Sequence, residues 1–143
     1  MKTKFFLISA LLVAGCTSIN VKPVPQSERL QHVCIVNNPK VIISDFISIL
    51  QDGFSRHNIT TSVVENEKAS SCEVTLTYTA LRSWDITTYL YHAELRLWRQ
   101  GRQIGAADYH LRNKGGLDLS KWRSTRTKMG PVIDKLLGGQ GET

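Results

Sequence analysis

Residues 72–81 read Cys72-Glu73-Val74-Thr75-Leu76-Thr77-Tyr78-Thr79-Ala80-Leu81. Cys72, Val74, Leu76, Tyr78 and Ala80 fall on one side of an extended chain, and Glu73, Thr75, Thr77 and Thr79 on the other. Successive side chains leave a strand on opposite sides, so this period of two predicts a strand with one face packed and one face wet. One-sided burial is characteristic of antiparallel sheets, whereas parallel strands covered on both faces read as unbroken apolar runs.

The residues that follow repeat the pattern. Ser83-Trp84-Asp85 predicts a bend or bulge. In Tyr89–Arg99, Tyr91, Ala93, Leu95 and Leu97 alternate with His92, Glu94, Arg96 and Trp98. Gln100-Gly101 supplies a turn, and Arg102–Leu111 returns with Gly105, Ala107, Tyr109 and Leu111 on one face, which predicts a hairpin. Arg112–Leu119 is a loop with Gly115-Gly116. Asp118 or Ser120 can cap a final helix whose apolar stripe is Trp122, Met129, Val132, Ile133, Leu136 and Leu137. Gly130-Pro131 inside that stripe predicts a kink or a break.

Upstream, Leu30–Val36 is a short β-branched, apolar run and reads as a buried strand. Asn38-Pro39 suits a helix start, and from Val41 the residues Ile42, Ile43, Phe46, Ile49, Leu50 and Phe54 recur at helical spacing. Asn58 fits a left-handed stop. Thr60–Val64 predicts a further strand, and Glu65–Ser71 a polar loop. The order β-α-β-β-β-β-α predicts an α+β, two-layer sandwich. Its mainly antiparallel sheet of four to five strands would carry two helices on one face.

The start of the chain gives an address. Lys2 and Lys4 precede the apolar run Phe5–Ala14, which is interrupted only by Ser9. That run is too short to span a bilayer, since a helix needs about 20 residues, and it fits a secretory signal. Its end, Leu12-Val13-Ala14-Gly15-Cys16, resembles the bacterial lipobox. The resemblance implies cleavage between Gly15 and Cys16 and acylation of the Cys16 thiol. More than one acyl chain gives stable anchoring. Thr17, in place of an Asp, points to the outer membrane rather than the inner one. Thr17–Arg29, with Pro23 and Pro25 among polar residues, reads as an extended tether able to reach roughly 40 Å. The expected division is therefore 1–15 signal peptide, 16–29 lipidated cysteine and tether, and 30–143 a single periplasmic domain on the inner side of the outer membrane.

Export bears on the cysteines and the charge. With Cys16 acylated, Cys34 and Cys72 are the remaining pair, 38 residues apart, and an oxidising compartment favours a disulfide between them. Under the chain-entropy account such a bridge stabilises by about 3 to 4 kcal/mol. The precursor carries 18 basic and 12 acidic residues. Loss of Lys2 and Lys4 leaves 16 against 12, a net of +4. The excess lies after Arg82. A basic surface suits anionic partners. Outside the cytoplasm these are lipid head groups and envelope glycans, and nucleic acid is not expected.

Catalytic constellations are not legible. His32, His57, His92 and His110 show no metal-ligand spacing, and there is no Gly-x-Ser-x-Gly elbow. No cofactor, metal or catalytic residue is assigned. Arg96, Arg99 and Arg102 on the hairpin, with Lys114, Lys121, Trp122, Arg123, Arg126 and Lys128, form a candidate surface for an anionic ligand. A solvated charged face is the plainer reading of the same residues.

Cys16-Thr17-Ser18-Ile19-Asn20-Val21-Lys22-Pro23, His32-Val33-Cys34-Ile35, Thr77–Asp85, His92-Ala93-Glu94-Leu95-Arg96-Leu97 and Lys114-Gly115-Gly116 resemble the Sbal-type family of small uncharacterised bacterial lipoproteins. The resemblance spans nearly all of the chain after Cys16 and implies membership without an activity. More distantly, the element order is similar to that of other two-layer outer-membrane lipoproteins, including the one that assists lipopolysaccharide assembly. The leading expectation is a non-enzymatic binding or accessory module for an envelope component or partner protein, with the oligomeric state open. The alternatives are an anionic-lipid or lipopolysaccharide binder, a purely structural spacer, and an envelope hydrolase using His92 or His110 with an Asp.

Overall fold

The computed structural model describes residues 17–140. The expected signal peptide, residues 1–15, and Cys16 lie outside the described residues. The elements are β1 (Thr17–Lys22), β2 (His32–Val36), α1 (Phe46–Ser55), β3 (Thr60–Val64), β4 (Val74–Asp85), β5 (Thr87–Arg99), β6 (Arg102–Leu111) and α2 (Thr125–Leu137). Short 3-10 turns occupy several of the connections.

The fold is α+β: one six-stranded sheet, in the order β1-β6-β5-β4-β2-β3, with two helices packed on one face. The sheet is mixed. The pairs β1–β6, β5–β6 and β4–β5 are antiparallel, while β2 runs parallel to both β3 and β4. The period-two reading of β4 holds from Val74: Val74, Leu76, Tyr78 and Ala80 are buried, and the threonines between them face away. Ala93, Leu95 and Leu97 of β5 and Ala107, Tyr109 and Leu111 of β6 continue the buried layer. Phe46, Ile49, Leu50 and Phe54 of α1 and Met129, Val132, Ile133, Leu136 and Leu137 of α2 close it from the other side. Each such side chain contributes about 1.5–3 kcal/mol of burial.

Four expectations need correction. Thr17–Lys22 is not a tether: all six residues pair with β6, from Thr17 opposite Leu111 to Lys22 opposite Ala106, and raise the strand count to six. The alternation of Thr17, Ile19 and Val21 with Ser18, Asn20 and Lys22 sits on the sheet edge, where Pro23 ends the strand without removing a ladder hydrogen bond. Residues 23–29 are also built into the body. Val24 is buried and its N–H donates to the Leu136 carbonyl at 2.9 Å, while Gln140 Nε2 donates to the Pro25 carbonyl at 2.8 Å.

Helix α1 begins at Phe46, later than the sequence pattern suggests, and Ile42 stays exposed. Asn38 does not cap it. Its side chain donates to the Tyr78 carbonyl at 2.8 Å and accepts from the Lys40 N–H at 3.1 Å, which holds the preceding segment in turns. At the other end, α2 starts after Ser124, whose hydroxyl accepts from the Thr127 N–H, and Asp118 instead caps the short 3-10 turn Leu119–Trp122. Finally, α2 continues across Gly130-Pro131 as a single helix. Its buried stripe holds the turn on both sides of the proline, offsetting the missing N–H.

Candidate functional site

The sequence nominated the basic residues of the second half, and the structure distributes them over three places. On the uncovered sheet face, the Arg96 guanidinium meets Asp108 at 2.7 Å and also donates to the Leu95 and Ala107 carbonyls at 2.9 and 3.2 Å. At the end of the sheet beyond the Gln100-Gly101 turn, Glu28 accepts from Arg99 and Arg102, both at 2.9 Å, and Arg99 also pairs with Glu73. The Arg102 hydrogen bond, foremost, and the Arg99 charge hold the Glu28 carboxyl below the usual carboxylate range.

The third group lies at the opposite end, under the β4–β5 turn. Lys121 is buried and its ammonium meets Asp85 Oδ2 at 2.5 Å and the Gly116 carbonyl at 2.8 Å, 4.6 Å from the Trp122 ring centre. Lys128 is also buried. Its Nζ donates to the Leu90 carbonyl at 2.8 Å and to the Lys121 carbonyl, and burial pushes its pKa down to about 8. Trp122 donates its indole N–H to the Asp85 carbonyl at 2.8 Å. Two of the nominated lysines are therefore internal fasteners. Arg126 pairs with Asp52 at 2.6 Å across the helices, Lys114 lies 5.5 Å from the Tyr91 ring centre, and Arg123 is exposed. The nominated set does not converge on one groove.

The cysteine expectation fares differently. Cys34 and Cys72 are joined, with sulfurs 2.02 Å apart and Cα atoms 6.2 Å apart. Cys34 stands on β2, and Cys72 precedes β4, which starts only at Val74.

Of the polar residues on the uncovered face, the sequence indicated only that His92 and His110, on facing hairpin strands, could approach each other. His92 and His110 are register partners on β5 and β6, with Nδ1 atoms 3.2 Å apart. His92 Nε2 lies 3.0 Å from Glu94. Trp98 donates its indole N–H to Thr77 at 2.9 Å, and His32 bridges the Thr60 and Ser62 hydroxyls at 2.7 and 2.9 Å. These side chains form several small polar groups across the strands, each hydrogen-bonded within itself. The hollows on it are open. One of about 240 Å³ is bordered by Asn20, Lys22, Arg96 and Asp108, and one of about 610 Å³ by Glu28, His32, Arg99 and the disulfide. Among the described residues, no group of three or more His, Cys, Asp or Glu is placed to hold a metal ion.

No protein-family model matches the chain, and no curated protein matches it. Solved structures do. The PelC dodecamer from Paraburkholderia phytofirmans is similar in two crystal forms. One, in space group P6, has TM-score 0.56 at 11% identity, covering 86% of this chain and 98% of that one. The other, a leucine-to-methionine variant of PelC in space group C2, has TM-score 0.54 at 12% identity, covering 84% and 97%. At this identity the likeness is one of fold.

Proposed function

We propose that the chain is a lipid-anchored accessory domain on the periplasmic face of the bacterial outer membrane, acting by binding a partner protein rather than by catalysis. The address rests on the lipobox-like Leu12–Cys16 segment and on the resemblance to small bacterial lipoproteins, and an oxidising compartment suits the Cys34–Cys72 bridge. The observation that carries the binding reading is the uncovered sheet face. It is broad and polar, its charges are neutralised in place by partners such as Asp108 for Arg96, and its hollows are open rather than enclosed. Small-molecule sites are mostly apolar, whereas these hollows are bordered by charged and polar groups such as Glu28, His32, Arg96 and Asp108, which suits another protein surface. The dodecameric assembly of PelC makes a second copy of this chain the first partner to test.

Photo-crosslinking in intact cells addresses the reading. A photoreactive residue at Thr79 on the uncovered face should give discrete protein adducts, and the same residue at Lys135, exposed on α2, should give few. Equal yields at both positions, or none at Thr79, would count against it.

A further inference from the structure

Among the described residues, the four most exposed large apolar side chains are Trp84, Ile86, Leu117 and Leu119, with 72%, 78%, 99% and 75% of their surface open. They lie at one end of the molecule. Trp84 is next to last in β4 and Ile86 forms the β4–β5 turn, and Leu117 and Leu119 belong to the segment that follows β6 and packs beneath that turn. β1 enters the sheet at the same end, since Thr17 pairs with Leu111 at the close of β6.

This end is fastened. Lys121 ties Asp85 of the turn to the Gly116 carbonyl, Trp122 holds the Asp85 carbonyl, and Tyr89 donates its hydroxyl to the Lys114 carbonyl at 3.0 Å. Gly115 has φ +83°, and a Cβ there would meet Lys121 Cβ at 2.7 Å, so the segment closes tightly over the lysine. The apolar side chains are thus displayed on a supported tip. Arg82, Arg112, Lys114 and Arg123 stand exposed at this end. Of the nearby acids, Asp85 is neutralised by Lys121 and Asp118 caps the Ser120 N–H.

We propose that this tip enters the head-group region of the membrane that holds the acyl chains of Cys16, so that the domain sits against the bilayer in a fixed orientation. The inference rests on the proposed lipid anchor. Cys16 directly precedes Thr17 in sequence, and six paired residues of β1 take the place of a free tether. A projecting tip of one tryptophan and three aliphatic side chains with a basic rim is complementary to a deformable, anionic lipid surface.

The full chain, purified from bacterial membranes, can be reconstituted into vesicles of phosphatidylethanolamine and phosphatidylglycerol with brominated acyl chains. Tryptophan emission should be quenched, and Trp84→Phe should remove most of that quenching, because Trp98 lies on the sheet face and Trp122 beneath the turn. Ile86→Ser/Leu117→Ser/Leu119→Ser, all at exposed positions, should keep the near-ultraviolet dichroism of the native chain yet lose the blue shift of Trp84 emission on vesicles. Quenching unchanged by Trp84→Phe, no quenching at all, or a blue shift retained in the triple variant would overturn the inference. The mass of the N-terminal peptide reads the anchor separately. An acylated Cys16 with an unquenched Trp84 rejects the tip alone, and an unmodified Cys16 with a quenched Trp84 rejects the anchor alone.

Discussion

Lys128 carries its ammonium into the interior, where the Leu90 and Lys121 carbonyls accept from it and the Tyr89 ring centre lies 5.5 Å away. Two carbonyls without a carboxylate are weak compensation for a buried charge, and burial lowers its pKa from 10.5 to about 8. The sign of the linkage follows. Between pH 8 and 10 the unfolded chain binds more proton than the folded one, so this group makes stability rise with pH. In urea unfolding, the stability of the native chain relative to Lys128→Met should increase over that interval by up to about 1.4 kcal/mol per pH unit. A flat difference would show that Lys128 stays charged. Lys121, equally buried, has Asp85 as a partner. Lys121→Ala should cost about 1–3 kcal/mol, because it removes a buried fastener and leaves the Gly116 carbonyl without its donor, while the half-exposed Asp85 carboxylate regains water, and thermal unfolding would measure it. The sequence could announce neither role. Both lysines occur in a run of basic residues that reads as a solvated helix face, and only the three-dimensional meeting of the β4–β5 turn with the segment after β6 turns them inward. The cysteine pair was legible because, with Cys16 set aside by its lipobox-like context, the count left one partner each.

Between elements, α1 and α2 touch at Gly53, where an added Cβ would lie 2.7 Å from Ile133 Cγ2 and 2.9 Å from Cδ1. In an isolated helix Gly→Ala gains about 1 kcal/mol. Here the overlap with a buried side chain outweighs that gain, and Gly53→Ala should destabilise by about 1–3 kcal/mol. Adding Ile133→Ala removes the clash, so the double variant should be more stable than the sum of the single effects predicts; strict additivity would place the strain elsewhere. The strands read best from sequence were those with one covered face: β4, β5 and β6 show their alternation because the helices lie on one side only. β1 carries the same alternation, but its partner β6 is distant in sequence and the prolines after it suggest a linker, so local reading made it a tether. The α1 boundary failed for a related reason. Asn38 offered a plausible cap, but Tyr78 of β4 took its side chain. The hairpin pairing put His92 near His110, but the other contacts of the uncovered face stayed hidden, because polar residues on a strand reveal which side is wet, not which of them meet.

At the scale of the whole molecule, the sheet has two parts with different logic. β1, β6, β5 and β4 form an antiparallel run, while β2, α1 and β3 form a parallel crossover unit. The seam between them, β2 against β4, registers only at Cys34 opposite Thr75 and Ile35 opposite Leu76. The disulfide crosses beside this short seam, and the 38-residue loop it closes contains the crossover unit's helix and second strand. Its removal therefore acts in two ways. The unfolded chain regains loop entropy, which should lower global stability by about 3 to 4 kcal/mol. The crossover unit also loses its covalent hold and should open more readily than the antiparallel run, since proteins open in contiguous cooperative units. Native-state hydrogen exchange on Cys34→Ala/Cys72→Ala discriminates the two effects. Amides of Val33–Val36 and Thr61–Val64 should lose more protection than those of Ala93–Leu97 and Ile104–Tyr109. Equal loss everywhere would mean that the bridge acts on the unfolded chain alone, and that two register pairs with the shared core suffice to join the halves.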